Sequence, residues 1–399
     1  MAERDGLVTA RVWRRVVLIT LDGVGVGGQP DAADFGDQEA STLPHVAERC
    51  GGLCLPTLER LGLGRIVPVS GVPAVAAPRG LYGRMLERAR GKDTTSGHWE
   101  LAGLVQDEPF STYPQGFPEA VIDAFATIAG VAPLGNIAAS GTEILQLLGE
   151  EHLRSGRPIV YTSVDSVFQI AAHEQVLPRE SLYALCEKMR RVLDPYHVGR
   201  VIARPFVGTA AGNFERTAGR RDFAMPPPAD TLLDRMEQQG LTVYGVGKIR
   251  DIFAGKGITR SVKSSSNSDG MAKTRKALGE VDRGLIFTNL VDFDMLYGHR
   301  LDVRGFGRAL EEFDAWLAGF LPALEPGDLL VITADHGCDP TTPGTDHTRE
   351  SVPLLVWHSG LKRGGSLGIR RSFADVAATL ADMFGVRVET GSSFADQLG

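Results

Sequence analysis

The sequence predicts an α/β fold, a core with a mostly parallel sheet into which a second α/β domain is inserted. Short runs of valine, isoleucine and leucine alternate with helical patterns throughout the chain, as they do in successive βα units. At 399 residues the chain is long for one domain. Two proline-containing segments, 107–109 and 225–230, mark crossings between domains. We therefore expect core segments at 1–107 and 227–399 around an inserted domain at 108–226.

The predicted strands are short runs dominated by branched aliphatic residues, which favour extended structure. They are Val16–Leu21, Ile159–Thr162, Val201–Ala203, Thr242–Val246, Leu285–Leu290 and Leu329–Thr333. The predicted helices lie between these strands or after them. They are Leu43–Cys50, Glu143–Leu148, Arg179–Leu193, Asp230–Gln239, Arg304–Phe320 and Phe373–Phe384. Thr42 and Ser372 stand directly before two of the helices, where N-cap residues are favoured.

The composition is typical of a soluble globular enzyme, with 43% apolar and 23% charged residues. The net charge of −7 argues against a nucleic-acid-binding surface. A phosphate-bearing substrate would therefore have to be bound by a local basic pocket. We expect a small-molecule enzyme with no nucleic-acid partner and no obligate protein partner.

The cysteines and the apolar runs bear on the compartment. The four cysteines have no CxxC spacing, which argues against a disulfide framework or a structural zinc site and fits a reducing environment. The apolar runs stop at six or seven residues, too short for a transmembrane helix, and Asp22 interrupts the first run too early for a signal peptide. We expect a cytoplasmic protein that does not bind membranes.

Acidic residues and histidines follow three of the predicted strands, at the ends where ligands bind in open α/β sheets. They are Asp22 after the first strand, Asp292, Asp294 and His299 after Leu285–Leu290, and Asp335, His336 and His347 after Leu329–Thr333. Oxygen and imidazole ligands without thiolate suit Mn²⁺, Mg²⁺, Zn²⁺ or Fe²⁺. Six of these seven residues, three aspartates and the three histidines, would be enough for two ions, and a paired site suits phosphoryl transfer. Taken singly, Asp22 also fits a helix cap, Asp292 and Asp294 fit solvated loop acids, and His299 fits a packed loop imidazole.

A hydroxyl-rich segment between two glycines provides a candidate nucleophile. Gly91–Glu100 reads Gly-Lys-Asp-Thr-Thr-Ser-Gly-His-Trp-Glu and contains Thr94, Thr95 and Ser96. A free alcohol is a weak nucleophile, and coordination to a metal is one way to activate it. The alternative interpretation is a threonine and serine turn that caps a helix.

Taken together, these segments resemble the prokaryotic phosphopentomutase family of the alkaline phosphatase superfamily, and the resemblance runs nearly end to end. The matching strings include Asp22–Gly27, Gly91–Glu100, Ala139–Ile144, Tyr161–Ser166, Arg200–Gly208, Ser266–Met271, Asn289–Asp294 and Ala334–Asp339. The resemblance implies a Rossmann-like, alkaline-phosphatase-type core that binds two Mn²⁺ ions, with the inserted domain as a cap.

The resemblance also implies roles for individual residues. The metal ligands would be Asp22, Asp335 and His336 for one ion, and Asp294, His299 and His347 for the other. Thr94 would be the nucleophile, phosphorylated in the active enzyme, with Thr95 and Ser96 ranked behind it. Asp165, Arg204, Arg220 and Lys248 would contact the substrate, and Arg216 or Arg221 are alternatives to Arg220.

The implied reaction interconverts α-D-ribose 1-phosphate, or the 2-deoxy sugar phosphate, with the 5-phosphate through a bisphosphate, as in nucleoside salvage. Glucose 1,6-bisphosphate would be the activator that primes the threonine. A metal-dependent phosphohydrolase, a relative of the cofactor-independent phosphoglycerate mutases and a non-catalytic sugar-phosphate binder are the alternative functions. A large inserted domain that excludes water favours transfer over hydrolysis.

Overall fold

The computed structural model describes residues 13–163 and 165–399. These residues form two compact units. The first is discontinuous and consists of the chain up to Glu108 together with Pro227–Gly399, and the second is Pro109–Pro226. Among the described residues, no helix combines the length and the apolar character needed to cross a membrane.

The strands and helices alternate along the chain, interrupted by short 3₁₀ turns. The strands are β1 Arg15–Leu21, β2 Leu81–Met85, β3 Leu134–Ala138, β4 Ile159–Thr162, β5 Val167–His173, β6 Arg200–Val207, β7 Glu215–Arg216, β8 Arg221–Ala224, β9 Thr242–Val246, β10 Arg260–Val262, β11 Gly284–Leu290, β12 Asp328–Thr333, β13 Val352–Trp357 and β14 Ser366–Arg370. The α-helices are α1 Thr42–Arg49, α2 Pro56–Leu61, α3 Thr94–Leu101, α4 Glu119–Ala129, α5 Gly141–Ser155, α6 Arg179–Leu193, α7 Leu232–Gln238, α8 Ile249–Ile252, α9 Asn267–Ala277, α10 Val303–Phe320 and α11 Ala374–Phe384.

The first unit is built on one sheet with the strand order β10-β9-β11-β1-β12-β13-β2-β14. Strand β1 lies in the middle and pairs in parallel with β11 and β12. Within the part of this sheet that the structure describes, β13 is the only strand that is antiparallel to both of its neighbours. Every residue of β1 is buried, as expected for the central strand of a parallel sheet. The predicted fold class, α/β with a mostly parallel sheet, is confirmed.

The second unit has its own sheet, in which β3, β4, β5, β6 and β7 follow one another and β8 also pairs with β6. Side chains of β5 alternate between its two faces. Phe168 and Ile170 join the core beneath α4 and α6, while Ala171 joins the core beneath α5. The unit therefore has helices on both faces of its sheet and two hydrophobic cores of its own.

The predicted strands and helices are present where the sequence has long apolar runs, but several of them begin or end at other residues than predicted. Strands β4 and β9 and helix α6 have the predicted bounds, whereas α5 is longer than the predicted Glu143–Leu148. Thr42 is not the N-cap: Ser41 holds that position, and the Thr42 hydroxyl donates to the carboxylate of Glu350 at 2.6 Å. Ser372 lies one residue before the N-cap of α11, and its hydroxyl accepts the amide of Ala374.

Candidate active site

The candidate metal ligands lie at one edge of the sheet of the first unit. Asp22 directly follows β1, and Asp335 and His336 follow β12, its parallel neighbour. After β11, on the other side of β1, the chain enters a π-helical turn, Phe293–Gly298, that contains Asp294 and is followed by His299. Parallel neighbours end at the same edge, so the three segments converge there. Single π-helical turns occur often at functional sites.

One group combines Asp22, Asp335 and His336, whose ligand atoms lie within 4.8 Å of one another. All three residues are fully buried. The Nε2 atom of His336 is 3.4 Å from Asp22 Oδ1 and 3.4 Å from Asp335 Oδ2. Its Nδ1 atom is 3.0 Å from the carbonyl oxygen of Gly337, which can only accept a hydrogen bond. Nδ1 therefore carries a hydrogen, and Nε2, which faces the carboxylates, is the ring nitrogen placed to bind a metal.

Asp294 is the centre of two further groups. His299 Nε2 is 3.1 Å from its Oδ2 atom, and His347 Nε2 is 3.3 Å from its Oδ1 atom. Asp294 forms one group with His336 and His347 and another with His299 and Cys338, each within 4.8 Å. His299 and His347, expected as ligands of the same ion, thus lie against different oxygens of Asp294.

Asp292, the other acid after β11, has a different environment. Its carboxylate accepts the backbone amide of Asn267 at 2.6 Å, and its own amide donates to the side chain of Asn267 at 2.9 Å. This reciprocal pair joins the end of β11 to the start of α9. Asp292 is absent from the groups of possible metal ligands that the described residues form.

Several buried polar atoms of these groups have no hydrogen-bond partner among the described residues. They are Asp22 Oδ1, Asp294 Oδ1, Asp335 Oδ2 and His347 Nε2. Burial and the charge of Asp335 raise the pKa of Asp22. Burial acts on Asp294 in the same direction, but the adjacent imidazoles of His299 and His347 outweigh it and hold the pKa of Asp294 well below its usual range. Unpaired carboxylate oxygens in a buried site are costly, and divalent cations satisfy them. The donor set fits divalent metal ions.

The hydroxyl-rich segment forms the first turn of α3, which begins at Thr94. Asp93 is its N-cap and accepts the amides of Thr95 and Ser96 at 3.0 and 3.1 Å, so the segment does cap a helix. The Ser96 hydroxyl donates to Asp93 at 2.7 Å and is buried. The Thr94 Oγ1 atom instead lies 3.2 Å from His336 Nε2. Thr94 is thus the hydroxyl of this segment that adjoins the candidate metal ligands.

Two further residues of the segment, Gly97 and His98, pack α3 against the end of β12. A Cβ atom on Gly97 would lie 2.0 Å from the carbonyl oxygen of Asp335. His98 is fully buried, and its Nδ1 atom is 2.8 Å from the carbonyl oxygen of Thr94 and 3.1 Å from Asp335 Oδ2. Sequence analysis assigned no role to either residue. The sequence feature that could have drawn attention to them is their position directly after Thr94, Thr95 and Ser96.

Arg349 was also missed, although it follows His347 by two residues. Its guanidinium is buried and donates to the Glu87 carboxylate at 2.8 Å and to the carbonyl oxygens of Ala89 and Gly91 at 2.7 and 2.6 Å. On its other edge it donates to Asp31 at 2.9 Å. Arg349 therefore connects the loop that carries His347 to the segment that leads into α3.

Of the predicted substrate contacts, only Lys248 lies in the first unit. It follows β9, the strand next to β11, and its side chain is exposed. The two strands are parallel, so Lys248 leaves the sheet at the same edge as the candidate metal ligands.

The other three predicted substrate contacts line a pocket of about 290 Å³ within the second unit, together with the N-terminus of α5. Asp165 is exposed there. Arg204 donates to Gln169 at 3.1 Å, and burial together with the charge of Arg220 lowers the pKa of Arg204. Arg220 donates through two nitrogens to Asp222, each at 2.7 Å. This is a local basic pocket of the kind that an acidic protein needs to bind phosphate.

The alternatives to Arg220 are not among the residues that line the pocket, although Arg216 adjoins Gly141, which does line it. The guanidinium of Arg221 lies 4.8 Å from the ring centroid of Phe223 and 5.3 Å from that of Tyr183 on α6, and it is 3.6 Å from Glu187. Arg216 belongs to the two-residue strand β7 and does not line the pocket. Of Arg216, Arg220 and Arg221, only Arg220 is among the described residues that line the pocket.

Comparison with known proteins gives consistent results. The family model of the Metalloenzyme superfamily matches residues 14–388. The chain is 74% identical to a phosphopentomutase of Syntrophotalea carbinolica, over 98% of this chain and 100% of that protein. It is 56% identical to a phosphopentomutase of Caldanaerobacter subterraneus subsp. tengcongensis, over 96% and 98% of the two chains. The solved structure of PH0037 from Pyrococcus horikoshii shares the fold at 15% identity, with a TM-score of 0.50 over 96% of this chain and 100% of that one.

Proposed function

We propose that this chain, which belongs to the phosphopentomutase family of the Metalloenzyme superfamily, interconverts α-D-ribose 1-phosphate or 2-deoxyribose 1-phosphate with the 5-phosphate. The family makes it an isomerase that moves a phosphoryl group within a pentose phosphate. The observation that best supports the finer proposal is the position of Thr94, whose hydroxyl oxygen is 3.2 Å from His336 Nε2. A nucleophile in contact with a metal ligand is suited to accept and return a phosphoryl group.

Two divalent cations, which we propose to be Mn²⁺, would bind at the edge of the sheet. The proposed ligands are Asp22, Asp335 and His336 for one ion, and Asp294, His299 and His347 for the other. When bound, such ions stabilise negative charge on attacking and leaving oxygens. The unpaired buried oxygens of three of these carboxylates support the proposal.

The residues of the chain have the following proposed roles in the reaction. The Thr94 oxygen carries a phosphoryl group, donates it to the pentose phosphate to form a bisphosphate, and receives the other phosphoryl group back. Thr94 is the first residue of α3, where the positive end of the helix dipole favours a phosphate. Glucose 1,6-bisphosphate would supply the first phosphoryl group.

The remaining proposed contacts hold the substrate. Arg204 and Arg220 would bind the phosphate that is not being transferred, and Asp165 would accept a hydrogen bond from a sugar hydroxyl. The support is the basic pocket of the second unit, because the planar guanidinium matches a phosphate through paired hydrogen bonds. Lys248 would supply positive charge beside the transferred group. A cytoplasmic location and a role in nucleoside salvage remain predictions.

The test is an assay of ribose 1-phosphate with Mn²⁺ and a trace of glucose 1,6-bisphosphate that follows ribose 5-phosphate and free phosphate together. We expect ribose 5-phosphate without release of phosphate. Release of phosphate without the isomer would instead support a phosphohydrolase.

The same assay tests the nucleophile. Thr94→Ala should abolish formation of ribose 5-phosphate, whereas calorimetric titration should still detect Mn²⁺ binding because the six proposed side-chain ligands remain. Thr95→Ala is the matched control and should retain most of the activity. Substantial activity in Thr94→Ala would assign the nucleophile to Thr95 or Ser96, and loss of activity in Thr95→Ala would then single out Thr95.

A further inference from the structure

Cys338 is a buried thiol beside the candidate metal ligands, and the proposed reaction does not use it. It is 2% exposed and is a free cysteine. Its sulfur belongs to a group with ligand atoms of Asp294 and His299 in which all three atoms lie within 4.8 Å of one another. Sequence analysis considered only oxygen and nitrogen ligands at this edge of the sheet, so a sulfur ligand was not expected.

The other two members of this group are prepared to bind a cation. Asp294 is 6% exposed, and its Oδ1 atom has no hydrogen-bond partner among the described residues. The Nδ1 atom of His299 is 2.6 Å from the carbonyl oxygen of Thr345 and must carry the hydrogen of that bond. The other ring nitrogen, Nε2, lies 3.1 Å from Asp294 Oδ2 and is the nitrogen placed to bind a cation.

The arrangement offers Asp294 two alternative sets of neighbours. Cys338 and His299 complete one group, whereas His347 and His336 complete the other. The two sets differ in chemical softness, because only the first includes sulfur. Mn²⁺ and Mg²⁺ prefer oxygen ligands, whereas Zn²⁺ and related ions bind readily to thiolate sulfur together with imidazole.

We propose that Asp294, His299 and Cys338 form an alternative binding site for a thiophilic divalent cation such as Zn²⁺ or Cd²⁺, which competes with the ion that supports activity. On binding, the thiol proton passes to the buffer and a sulfur lone pair forms the bond to the cation, without any change in oxidation state. The inference rests on the proposed function, in which Asp294 and His299 bind one of the working ions. Occupation of the alternative site withdraws both residues from the active arrangement and inhibits the enzyme.

The direct test uses Cd²⁺ alone as the probe, added to the full-length metal-free protein. The expected result is a thiolate-to-cadmium charge-transfer band in the ultraviolet that saturates at one ion per chain and is absent from Cys338→Ser. Cys54→Ser is the matched control, since Cys54 is an exposed free thiol outside the group, and it should retain the band. Mn²⁺ binding to Cys338→Ser should be unchanged, which also shows that the variant is folded.

A second measurement keeps the proposal testable if Cys338→Ser does not fold. The ¹¹³Cd resonance of the wild-type protein reports directly whether sulfur is bound, because sulfur ligands shift it strongly from the position given by oxygen and nitrogen alone. In activity assays, the Zn²⁺ concentration for half inhibition should rise about tenfold or more in Cys338→Ser, the scale expected when a metal site loses one supporting group.

The outcomes separate this inference from the proposed function. A band that persists in Cys338→Ser, a resonance without sulfur, or equal inhibition of both proteins by Zn²⁺ would each overturn the alternative site. If the wild-type protein with Mn²⁺ forms no ribose 5-phosphate, the proposed function fails whatever the cadmium spectrum shows. An active enzyme without the cadmium band refutes only the inference about Cys338.

Discussion

Replacing Arg349 with methionine should destabilise the protein strongly, and the structure indicates which contact dominates. The guanidinium is 2% exposed and donates to the carboxylate of Glu87, which is also buried. It also donates to the carbonyl oxygens of Ala89 and Gly91. Its remaining charged partner, Asp31, has a side chain that is 43% exposed. Methionine keeps most of the volume but removes every donor.

The expected loss of stability in Arg349→Met has two unequal contributions. Removing one partner of a buried ion pair costs about 3–5 kcal/mol, because the other charge is left without compensation. The pair with the half-exposed Asp31 adds at most about 1 kcal/mol, because water screens it. We therefore expect the free energy of unfolding of Arg349→Met to fall by about 3–5 kcal/mol, with Glu87 responsible for most of it.

The loss of unfolding free energy in Arg349→Met should also depend on pH. Burial raises the pKa of Glu87 well above its usual range, and the charge of Arg349 acts against that shift. Without Arg349 the folded-state pKa rises further, so the folded protein must hold a proton that the unfolded chain releases. The stability deficit of Arg349→Met should therefore be smallest at low pH, where Glu87 is protonated in both folded proteins. It should grow once the pH passes the folded-state pKa of Glu87 in the wild type, which lies above the unfolded value of about 4.3.

Urea denaturation of the metal-free protein measures these effects. Arg349→Met, Glu87→Gln and the double variant form a double-mutant cycle, with Arg88→Met as an exposed control that should change little. The double variant should recover part of the loss, because the buried charge is gone while the carbonyl oxygens of Ala89 and Gly91 still lack their donor. A loss below about 1 kcal/mol, or a deficit that shrinks as the pH rises, would refute the reasoning.

Two other substitutions test the packing of α3 and the basic pocket. Gly97→Ala should reduce mutase activity by at least about tenfold, because its Cβ would meet the carbonyl oxygen of Asp335 at 2.0 Å and a displacement of about 1 Å can cost a hundredfold in rate. Gly279→Ala, whose Cβ would meet nothing closer than 3.6 Å, is its control, and equal activities would show that α3 tolerates the shift. Arg204→Met should raise KM for ribose 1-phosphate about tenfold or more, the effect of losing one charged hydrogen bond. Arg221→Met should leave KM unchanged, and similar KM values for the two variants would mean that the phosphate binds elsewhere.

The position of the candidate site could be predicted because it depends on where strands end. Asp22 and Asp335 directly follow buried apolar runs, and parallel neighbours bring such positions to one edge. Contacts between segments distant in sequence could not be predicted. Arg349 and Glu87 are 262 residues apart, and no local pattern relates them. The division of His299 and His347 between the two oxygens of Asp294 depends on side-chain conformation, which periodicity does not record.

Two of the strands that were not predicted have identifiable physical causes. Strand β14 lies at the edge of its sheet and is partly exposed, so it needs no apolar run. Strand β13 contains Pro353, which argues against a strand in the middle of a sheet because proline cannot donate to the ladder. Here β13 nevertheless pairs on both sides, with Pro353 opposite Arg84 of β2. Runs of apolar residues therefore predict fully buried parallel strands such as β1 more readily than β13 or β14.

On the ribosome, β1 emerges long before either of the strands that flank it. Asp22 and its hydrogen-bond partner Asn289 are 267 residues apart, and Gly23 and Asp335 are 312 residues apart. At common rates of translation that delay lasts roughly 15–60 s, during which the mostly apolar strand β1 has neither neighbour. Pro109–Pro226 can complete its own sheet in the meantime. A chain interrupted before Asp335 lacks three of the six proposed ligands, so we expect metal affinity to be acquired only near the end of synthesis.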